Sequence, residues 1–375
     1  MAADDPAEIA ERIVDAAKRY RELTENCLQL ADVFNWTDIC KQYRELYCAI
    51  VSGSRPASGE RPAADNPHES GRKIHMSAQE HNSQKDRVRQ LVSNILYHMP
   101  KKPARSIWFA KQHGYRMNFR APRTLDEKLN WLLVHYIGEE HALYVDKVAV
   151  RDFVAEKGLK ELLPEVYGIW SHASEIPLEE LPKQFVLKCN HASGSKCYEI
   201  VRDKETVDWP SVLNRLETML HMNYAKSHCE YQYKTVQPRI YAEELLDDGR
   251  GARMTDYKVF CYYGKPHCIM LCTGRGKNLK RVFYDKEWNY LDYAKGVSEE
   301  DAVMEKPLGL ETMLKAAAVL SQAFPFARMD FYDVGGKVYF GEITLTPDNC
   351  NIQHLNQEGQ RRLGELLDLK RLTQT

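Results

Sequence analysis

The segment from Phe326 to Asp348 constrains the fold of this 375-residue chain more than any other stretch. β-branched and aromatic residues flank the pair Gly335-Gly336 on both sides. Such residues favour strands, and a glycine pair favours a tight turn between them. The segment is therefore predicted to form an antiparallel hairpin.

The length of the loop in this hairpin decides which side chains share a face, because successive side chains of a strand alternate. A two-residue turn at the glycines would pair Asp330 with Gly341 and place Glu342 on the opposite face. A three-residue loop over 334–336 would pair Asp330 with Phe340 instead. We predict the three-residue loop, because it separates an apolar face from a polar one. The apolar face would carry Met329, Phe331 and Ile343, and the polar face Arg328, Asp330, Glu342 and Thr344.

The polar face of this hairpin is a candidate Mg²⁺ site. Mg²⁺ prefers hard oxygen ligands, usually one or two carboxylates together with phosphate oxygens and water. Asp330 and Glu342 would supply the carboxylates, and Arg328 could hold a phosphate or a developing oxyanion. From the hairpin alone, a surface turn with solvated charges is an equally good interpretation.

Composition excludes several functional classes. A net charge of −1 gives no basic footprint for nucleic acid, and no apolar run approaches the ~20 residues of a membrane span. The N-terminus has neither the basic start nor the apolar core of a signal peptide. The ten cysteines lack paired metal-ligand spacing, so we expect a reduced cytoplasmic protein.

The chain divides into three regions by composition. Residues 1–53 have helical periodicity and are predicted to form a helical extension, whereas residues 54–85 are polar, rich in Gly, Ser and Pro, and predicted to be a disordered linker. Residues 86–375 mix short strands with helices, which indicates an α+β fold with antiparallel sheets. Within this third region we predict a helical part, a glycine-loop subdomain and a subdomain that binds metal and ATP, over 86–165, 166–237 and 238–375.

A predicted strand over 185–189 runs into a small polar loop that contains Gly194. Backbone amides in such a loop can point at phosphate oxygens, and Lys188 at the strand end supplies a positive charge. The loop lacks the spacing of a Walker A motif, so an ordinary loop is the simpler interpretation of this segment alone. The candidate phosphate-binding residues of the loop are His191, Ser193, Gly194, Ser195 and Lys196.

Further along the chain, a strand ends in an acidic turn at Glu243, Glu244, Leu245 and Leu246. Backbone groups at such a strand end can hold adenine, although a charged strand exit is an equally simple interpretation. Lys258 follows on the next strand, and Arg275 belongs to a short basic segment that suits an anionic ligand or plain solvation.

The order of these signals resembles an ATP-grasp ligase, and more narrowly the polysaccharide-associated TupA-like ATP-grasp family. The similarity covers roughly residues 105–370. The matching segments are Asp146-Lys147, Phe185–His191 with Ser193-Gly194, Pro238–Ile240 with Ala242–Leu246, Asp256–Lys258, Gly264–Pro266, Phe283–Asp285 with Trp288-Asn289, Phe324–Phe326 with Arg328 and Asp330, and Phe340–Thr344 with Thr346-Pro347. The resemblance implies an ATP-grasp fold, in which two α+β subdomains clasp ATP between antiparallel sheets.

The resemblance also implies a role for each candidate residue. Phosphates of ATP would meet Lys147, Lys188 and the loop over 191–196, and the adenine hinge would be formed by 243–246. Lys258 would lie near the γ-phosphate or the acyl substrate, and Arg328 would stabilise the transferring phosphate, with Arg275 a further catalytic candidate. Asp330 and Glu342 would bind Mg²⁺. Thr344 stands where many ATP-grasp enzymes carry Asn, which puts a second metal ion in doubt.

Residues 34–47 resemble the last helices of GT-B glycosyltransferases over a short stretch, although a helical hairpin that docks on the chain or on a partner is the simpler interpretation. The nucleotide-sugar-binding body of such an enzyme is absent from this sequence, so no transferase activity is implied.

The function that these features predict is an ATP- and Mg²⁺-dependent amide ligase. It would activate a uronic acid carboxylate as an acylphosphate and couple it to an amine, such as an amino acid, ethanolamine or serinol, or a phosphate of such an amino alcohol. The expected partners are a sugar substrate, a small amine and a glycosyltransferase. Two alternatives remain open, a sugar or polysaccharide kinase that uses the same ATP site and a nonenzymatic nucleotide-binding scaffold.

Overall fold

The computed structural model of the chain describes residue 93 and residues 96–247, 254–273 and 279–372. The predicted extension over 1–53 and the predicted linker over 54–85 lie outside these ranges, as does Arg275. The domain boundaries drawn from the sequence therefore stay predictions. Within the described ranges, no helix is both long and apolar enough to cross a membrane.

The described part of the chain is a mixed α+β structure, as predicted, with two antiparallel sheets. Its α-helices are α1 Lys101–His113, α2 Leu125–His135, α3 Ala142–Val145, α4 Val150–Glu156, α5 Trp209–Leu220, α6 Tyr224–His228, α7 Leu310–Leu320 and α8 Gln357–Leu366. Its strands are β1 Val166–Trp170, β2 Phe185–Cys189, β3 Tyr198–Val201, β4 Ile240–Glu243, β5 Asp256–Tyr262, β6 Lys265–Thr273, β7 Lys280–Asp285, β8 Tyr290–Leu291, β9 Phe326–Val334 and β10 Lys337–Thr344.

The smaller sheet has four strands in the order β1-β4-β2-β3, and every neighbouring pair is antiparallel. Its buried face carries Phe185 and Leu187, which pack in one cluster with Leu216 of α5. Because side chains alternate along a strand, Lys188 points to the other face of β2. This sheet therefore has one apolar face and one face that carries charge.

The larger sheet has six strands in the order β10-β9-β5-β6-β7-β8, again antiparallel throughout. Met329 and Phe331 on β9 are fully buried in the main apolar cluster, which also contains Met313 and Ala317 of α7. The apolar side chains on one face of the larger sheet therefore pack against α7, which covers that face.

The hairpin of β9 and β10 differs from the predicted one in its loop. The turn has two residues, Gly335 and Gly336, with φ of 61° and 95°, and glycine adopts such angles without strain. The predicted three-residue loop and the predicted pairing of Asp330 with Phe340 are both wrong. Phe331 pairs with Phe340 instead, as a two-residue turn requires.

A β-bulge at Gly341 nevertheless produces the predicted polar face. The register shifts between Phe340 and Glu342, so that Glu342 lies opposite Asp330. A Cβ at Gly341 would meet the Asp330 carbonyl oxygen at 3.0 Å, which explains why a residue without a side chain occupies the bulge. Arg328, Asp330, Glu342 and Thr344 consequently share one face, as expected from the sequence.

The register of the larger sheet also aligns one residue from each of five strands. Glu342 pairs with Asp330, Asp330 with Lys258, Lys258 with Met270, and Met270 with Phe283. Paired residues of neighbouring strands point to the same side of a sheet. These five residues, here called the central row, therefore run across one face, from a charged end at Glu342 to an apolar end at Phe283.

Candidate active site

The charged end of the central row is a compact ionic network. Nζ of Lys258 donates to Oδ2 of Asp330 at 2.6 Å, and Nε of Arg328 donates to Oδ1 of the same carboxylate at 2.7 Å. Burial disfavours both cations, but the surrounding carboxylates together, with Asp330 the largest contributor, outweigh burial and raise the pKa of Lys258 and of Arg328. Asp330 therefore holds two cations on one side of the sheet.

Glu342 extends this network along the row. Its carboxylate lies 3.5 Å from Nζ of Lys147 and 3.6 Å from Nη2 of Arg328, and it accepts a hydrogen bond from the Thr344 hydroxyl at 3.0 Å. Burial alone would raise the pKa of Glu342, but Lys147, Arg328 and Lys258 together lower it to about 2. The group is thus ionised throughout the neutral range.

The donor atoms on this face suit a hard divalent cation. Asp330 and Glu342 supply carboxylate oxygens from opposed positions, and Thr344 adds a hydroxyl oxygen beside them. Among the described residues, no group of three or more His, Cys, Asp or Glu side chains could enclose a metal ion. The two carboxylates and the hydroxyl of Asp330, Glu342 and Thr344 fit Mg²⁺, which keeps water or phosphate oxygens in its remaining coordination positions.

Lys147 connects this network to the glycine loop. Its Nζ donates to the Ala192 carbonyl at 3.1 Å while it faces Glu342, and its backbone N–H donates to the Asn190 carbonyl at 3.2 Å. The loop after β2 and the hairpin of the larger sheet therefore lie on either side of one lysine. The structure brings the two predicted phosphate-binding and metal-binding segments together.

The glycine loop itself is open to solvent. Ser193, Gly194, Ser195 and Lys196 are exposed, and Gly194 has a φ of 104°. Ser193 bonds the Tyr224 hydroxyl at 2.8 Å. The Gly194 carbonyl accepts from the Cys197 N–H at 3.0 Å and the Lys196 carbonyl from Arg215 at 2.6 Å, so the exposed side chains stand on a backbone that is hydrogen-bonded at these two positions.

His191 is placed differently from the rest of this loop. Its side chain is buried, and Nε2 lies 3.1 Å from the Met219 carbonyl at the end of α5. Burial lowers the pKa of His191, so the ring is neutral at pH 7. The structure gives this side chain a packing role and does not bring it together with the lysines.

Lys188 and Glu243 form an ion pair on the charged face of the smaller sheet. Glu243 is almost fully buried at the end of β4, and the chain continues through Glu244, whose N–H donates to the Glu165 carbonyl at 2.9 Å. The predicted hinge at 243–246 thus begins within one side-chain length of Lys188.

Asn190 is a site residue that the sequence did not single out by role. Its buried amide donates to Asp146 Oδ1 and to the Gln237 carbonyl, both at 2.9 Å, and its Oδ1 accepts from the Arg239 N–H at 2.7 Å. These bonds fix the start of the glycine loop relative to Lys147. The available signal was a polar side chain directly after a buried strand.

The segment after β10 was also missed. Asp348, Asn349 and Cys350 have consecutive positive φ angles of 49°, 54° and 58°. A non-glycine residue in this region is strained, and it persists only where its surroundings enforce it. The fully buried Arg105 of α1 does so, because it donates to the Asn349 side-chain oxygen at 2.8 Å and to the Asn349 carbonyl at 2.9 Å.

Comparison with solved structures finds ATP-grasp ligases. A D-alanine–D-alanine ligase from Bacillus anthracis in complex with ATP is 16% identical, with 60% of this chain and 65% of that chain covered, at a TM-score of 0.37. The ATP-grasp ligase PsnB with its minimal precursor, Mg and ADP is 12% identical, with 67% and 66% covered, at 0.35. A D-alanine–D-alanine ligase from Helicobacter pylori is 12% identical, with 65% and 67% covered, at 0.37. No curated protein matches the chain.

A family model, TupA-like ATPgrasp, matches residues 127–368. The match contains both sheets and every predicted site residue from Lys147 to Thr344. It confirms the family predicted from the motifs and agrees with the predicted enzyme class, an ATP-grasp carboxylate–amine ligase. On this evidence the chain belongs to the TupA-like ATP-grasp family.

Proposed function

We propose that the chain is an ATP-dependent, ADP-forming ligase that activates the uronic acid carboxylate of a sugar or of a capsular or cell-surface polysaccharide precursor and couples it to a small amine. The observation that carries this proposal is the ionic network of the hairpin. It places two carboxylates and two cations, Arg328 and Lys258, on one face, and Lys147 links it to the glycine loop.

In this proposal the smaller sheet and Lys147 bind the phosphates of ATP. Lys147 and Lys188 approach from one side, and the exposed amides of Ser193–Lys196 close over them. Residues 243–246 hold adenine through backbone groups. In the absence of nucleotide, the ion pair with Glu243 would balance the charge of Lys188.

Asp330, Glu342 and Thr344 are the residues that would hold Mg²⁺. When bound, Mg²⁺ would neutralise phosphate charge and so favour phosphoryl transfer. Arg328 remains beside the same carboxylates and can contact the transferring phosphoryl group. Its fixed guanidinium would stabilise the charge that develops on the phosphoryl oxygens.

The first chemical step is attack of a carboxylate oxygen of the sugar on the γ-phosphorus. The bond between that phosphorus and the bridging oxygen of ADP breaks, and ADP leaves with the electron pair. Lys258 lies next to Asp330 in the row and can hold the attacking carboxylate in line, since such transfer depends on positioning and electrostatics. Closure of the loop would exclude water from the acylphosphate.

The substrate side of the proposal has narrower support. The polysaccharide association of the family and the glycosyltransferase-like segment at 34–47 support a uronic acid carrier and a glycosyltransferase partner. A cytoplasmic location and the role of Arg275 in binding an anionic substrate also stay predictions. The amine is left open.

An ADP-release assay tests the proposal. The full chain is incubated with ATP, Mg²⁺ and either glucuronic acid or UDP-glucuronic acid, with and without ethanolamine or L-glutamate. ADP formation that depends on both partners and yields an amide is expected. A stable phosphorylated sugar formed without any amine would support a kinase instead. ATP binding without turnover of any pair would support a scaffold.

Matched variants connect the assay to the hairpin. Glu342→Gln removes one carboxylate from the ionic network and is expected to lower ADP formation at least about 100-fold, as loss of a charge-positioning group does. Glu311→Gln changes an exposed glutamate of α7 that pairs with Lys315, and it should leave the rate unchanged. Equal rates in the two variants would contradict the assignment of the site.

A further inference from the structure

A histidine and an aspartate lie at the apolar end of the central row and take no part in the proposed phosphoryl transfer. Nδ1 of His354 lies 3.3 Å from Oδ2 of Asp348, and Nε2 lies 3.1 Å from the Met270 sulfur. The ring is stacked on Phe283, with ring centroids 6.2 Å apart and an angle of 24° between the planes. His354 keeps 14% of its side-chain surface exposed.

The register of the sheet fixes where this pair lies relative to the charged end. Met270 is the partner of Lys258, and Lys258 is the partner of Asp330. Neighbouring strands are about 4.8 Å apart, so Met270 stands roughly 10 Å from Asp330 on the same face. His354 therefore borders the row on the far side of Lys258 from Asp330.

The loop that carries Asp348 is built to hold its carboxylate in place. Asp348 begins the run of three residues with positive φ, and Arg105 fixes the next residue, Asn349, through two hydrogen bonds. The Asn349 amide also donates to the His228 carbonyl at 2.8 Å. Strained backbone that buried partners enforce is frequently found at functional sites.

Burial is the main reason why the ring of His354 is neutral. Burial lowers the pKa of His354, Asp348 raises it, and Arg281 and Arg328 lower it further. Lys295 meets the histidine through its backbone, whereas its Nζ bonds the Gln353 carbonyl at 2.7 Å. A ring whose Nδ1–H faces a carboxylate keeps its lone pair on Nε2, and a thioether sulfur is a weak partner.

We propose that His354, oriented by Asp348, is the general base of the second half-reaction, the attack of the amine on the acylphosphate. This inference rests on the proposed ligase function. The nitrogen of the neutral amine forms a bond to the acyl carbon, and the bond between that carbon and the phosphate oxygen breaks. The electron pair leaves with inorganic phosphate, and Nε2 of His354 takes the proton that the nitrogen loses. The imidazolium, facing Asp348, then releases the proton to solvent.

Hydroxylamine separates this step from formation of the acylphosphate. It is largely unprotonated at pH 7 and captures acylphosphates as hydroxamates with little need of a base. His354→Gln is therefore expected to keep hydroxamate formation from ATP and UDP-glucuronic acid or glucuronic acid within about threefold of the unchanged chain. Amide formation with ethanolamine or L-glutamate should fall about 100-fold or more, the usual contribution of a general base.

Two further variants sharpen the test. Asp348→Asn should lower amide formation about tenfold and shift the acidic limb of its pH profile, because the carboxylate no longer orients the ring. His267→Gln changes a half-buried histidine of β6 that packs edge-on against the Tyr262 ring, three residues before Met270, and it should alter neither product. Hydroxamate formation serves in each variant as the measure of intact folding.

Each result decides between failure of the inference and failure of the proposed function. An unchanged ratio of amide to hydroxamate in His354→Gln would overturn the assignment of the base while the ligase proposal stands. A parallel loss of both products, with an unchanged ratio, would also overturn it, because His354 would then serve folding or the first step. No hydroxamate from the unchanged chain with either acid would overturn the proposed function, and this inference with it.

Discussion

The two sheets both present charge at the candidate site, but they hold that charge in different ways. On the larger sheet, two cations and two carboxylates on three neighbouring strands form one network in which every member contacts another: Lys258, Arg328, Asp330 and Glu342. On the charged face of the smaller sheet, Lys188 pairs with Glu243, and the exposed loop over 193–196 follows the strand that carries Lys188.

The two arrangements differ in how firmly the site residues are held before a ligand binds. Asp330 is buried and bonded to two cations, so its position is set before any ligand binds. Gly194 lies in an exposed loop, and no atom lies within 4 Å of the position that a Cβ would take there. Positioned charge is what a phosphoryl-transfer site requires, and a movable cover is what protects a reactive intermediate.

Asp330→Asn should have the largest effect, because it removes the carboxylate that holds both cations of the ionic network on the larger sheet. Lys258 and Arg328 would lose their carboxylate partner while still buried, which costs about 3–5 kcal/mol of unfolding free energy. ADP formation should fall about 1,000-fold or more, since a proposed metal ligand is lost with it. Urea unfolding and the ADP assay measure the two effects. Asp203→Asn, at a half-buried aspartate away from the site that pairs with Lys183, is the control.

Lys188→Met should have a smaller and more selective effect, because it changes the smaller sheet and leaves the ionic network of the larger sheet intact. Removing Lys188 leaves the buried Glu243 carboxylate without its cation, so the unfolding free energy should fall, but by less than the ~3–5 kcal/mol of a fully buried pair because Lys188 is partly exposed. The KM for ATP should rise about 10- to 100-fold, as expected for loss of a phosphate contact of 1.4–3 kcal/mol. Steady-state kinetics test this, with Lys183→Met as the control. A change in kcat alone would contradict the assigned role.

The dependence of the unfolding free energy on acid pH should come in part from Glu342 of the ionic network. Its pKa is lowered from 4.5 to about 2 in the folded chain, so the stability it contributes is fully present above about pH 4.5 and is lost as the pH falls towards 2. The side chain is one-third exposed, so we expect roughly 1–2 kcal/mol after solvent screening. The difference in unfolding free energy between the unchanged chain and Glu342→Gln should shrink over this range. A difference that stays constant over this pH range would contradict a stabilising role of the ionised Glu342 carboxylate in the network.

Gly194→Ala should have the smallest effect. The positive φ of 104° makes any side chain strained by about 1 kcal/mol, although no atom lies within 4 Å of the added Cβ. The KM for ATP should rise a few-fold because loop closure is impaired. Gly296→Ala carries the same kind of strain in equally open surroundings, away from the site, and should leave the KM unchanged.

Local features could be predicted from the sequence. The strand predicted over 185–189 has those bounds in the structure, and α2 begins at a capping box of Thr124 and Glu127, a pattern of two residues at fixed spacing. These features depend on neighbours in the chain, so a local pattern is enough to reveal them.

Contacts between distant segments could not be predicted in this way. Arg105 reaches Asn349 across 244 residues, and nothing in the local pattern of either residue indicates the partner. The three left-handed residues at 348–350 depend on that contact, and none of them is glycine. Likewise the polar face of the hairpin followed from the spacing of its residues, whereas the loop did not, because a bulge depends on the packing of the finished sheet.

Gly341 has a consequence for how the hairpin can change length during evolution. The bulge absorbs one surplus residue between Asp330 and Glu342. Deleting Gly341 would remove that surplus and leave the two carboxylates opposite each other, whereas inserting one more residue there would turn Glu342 toward the apolar core. Natural variants of this hairpin should therefore include chains one residue shorter more often than chains one residue longer.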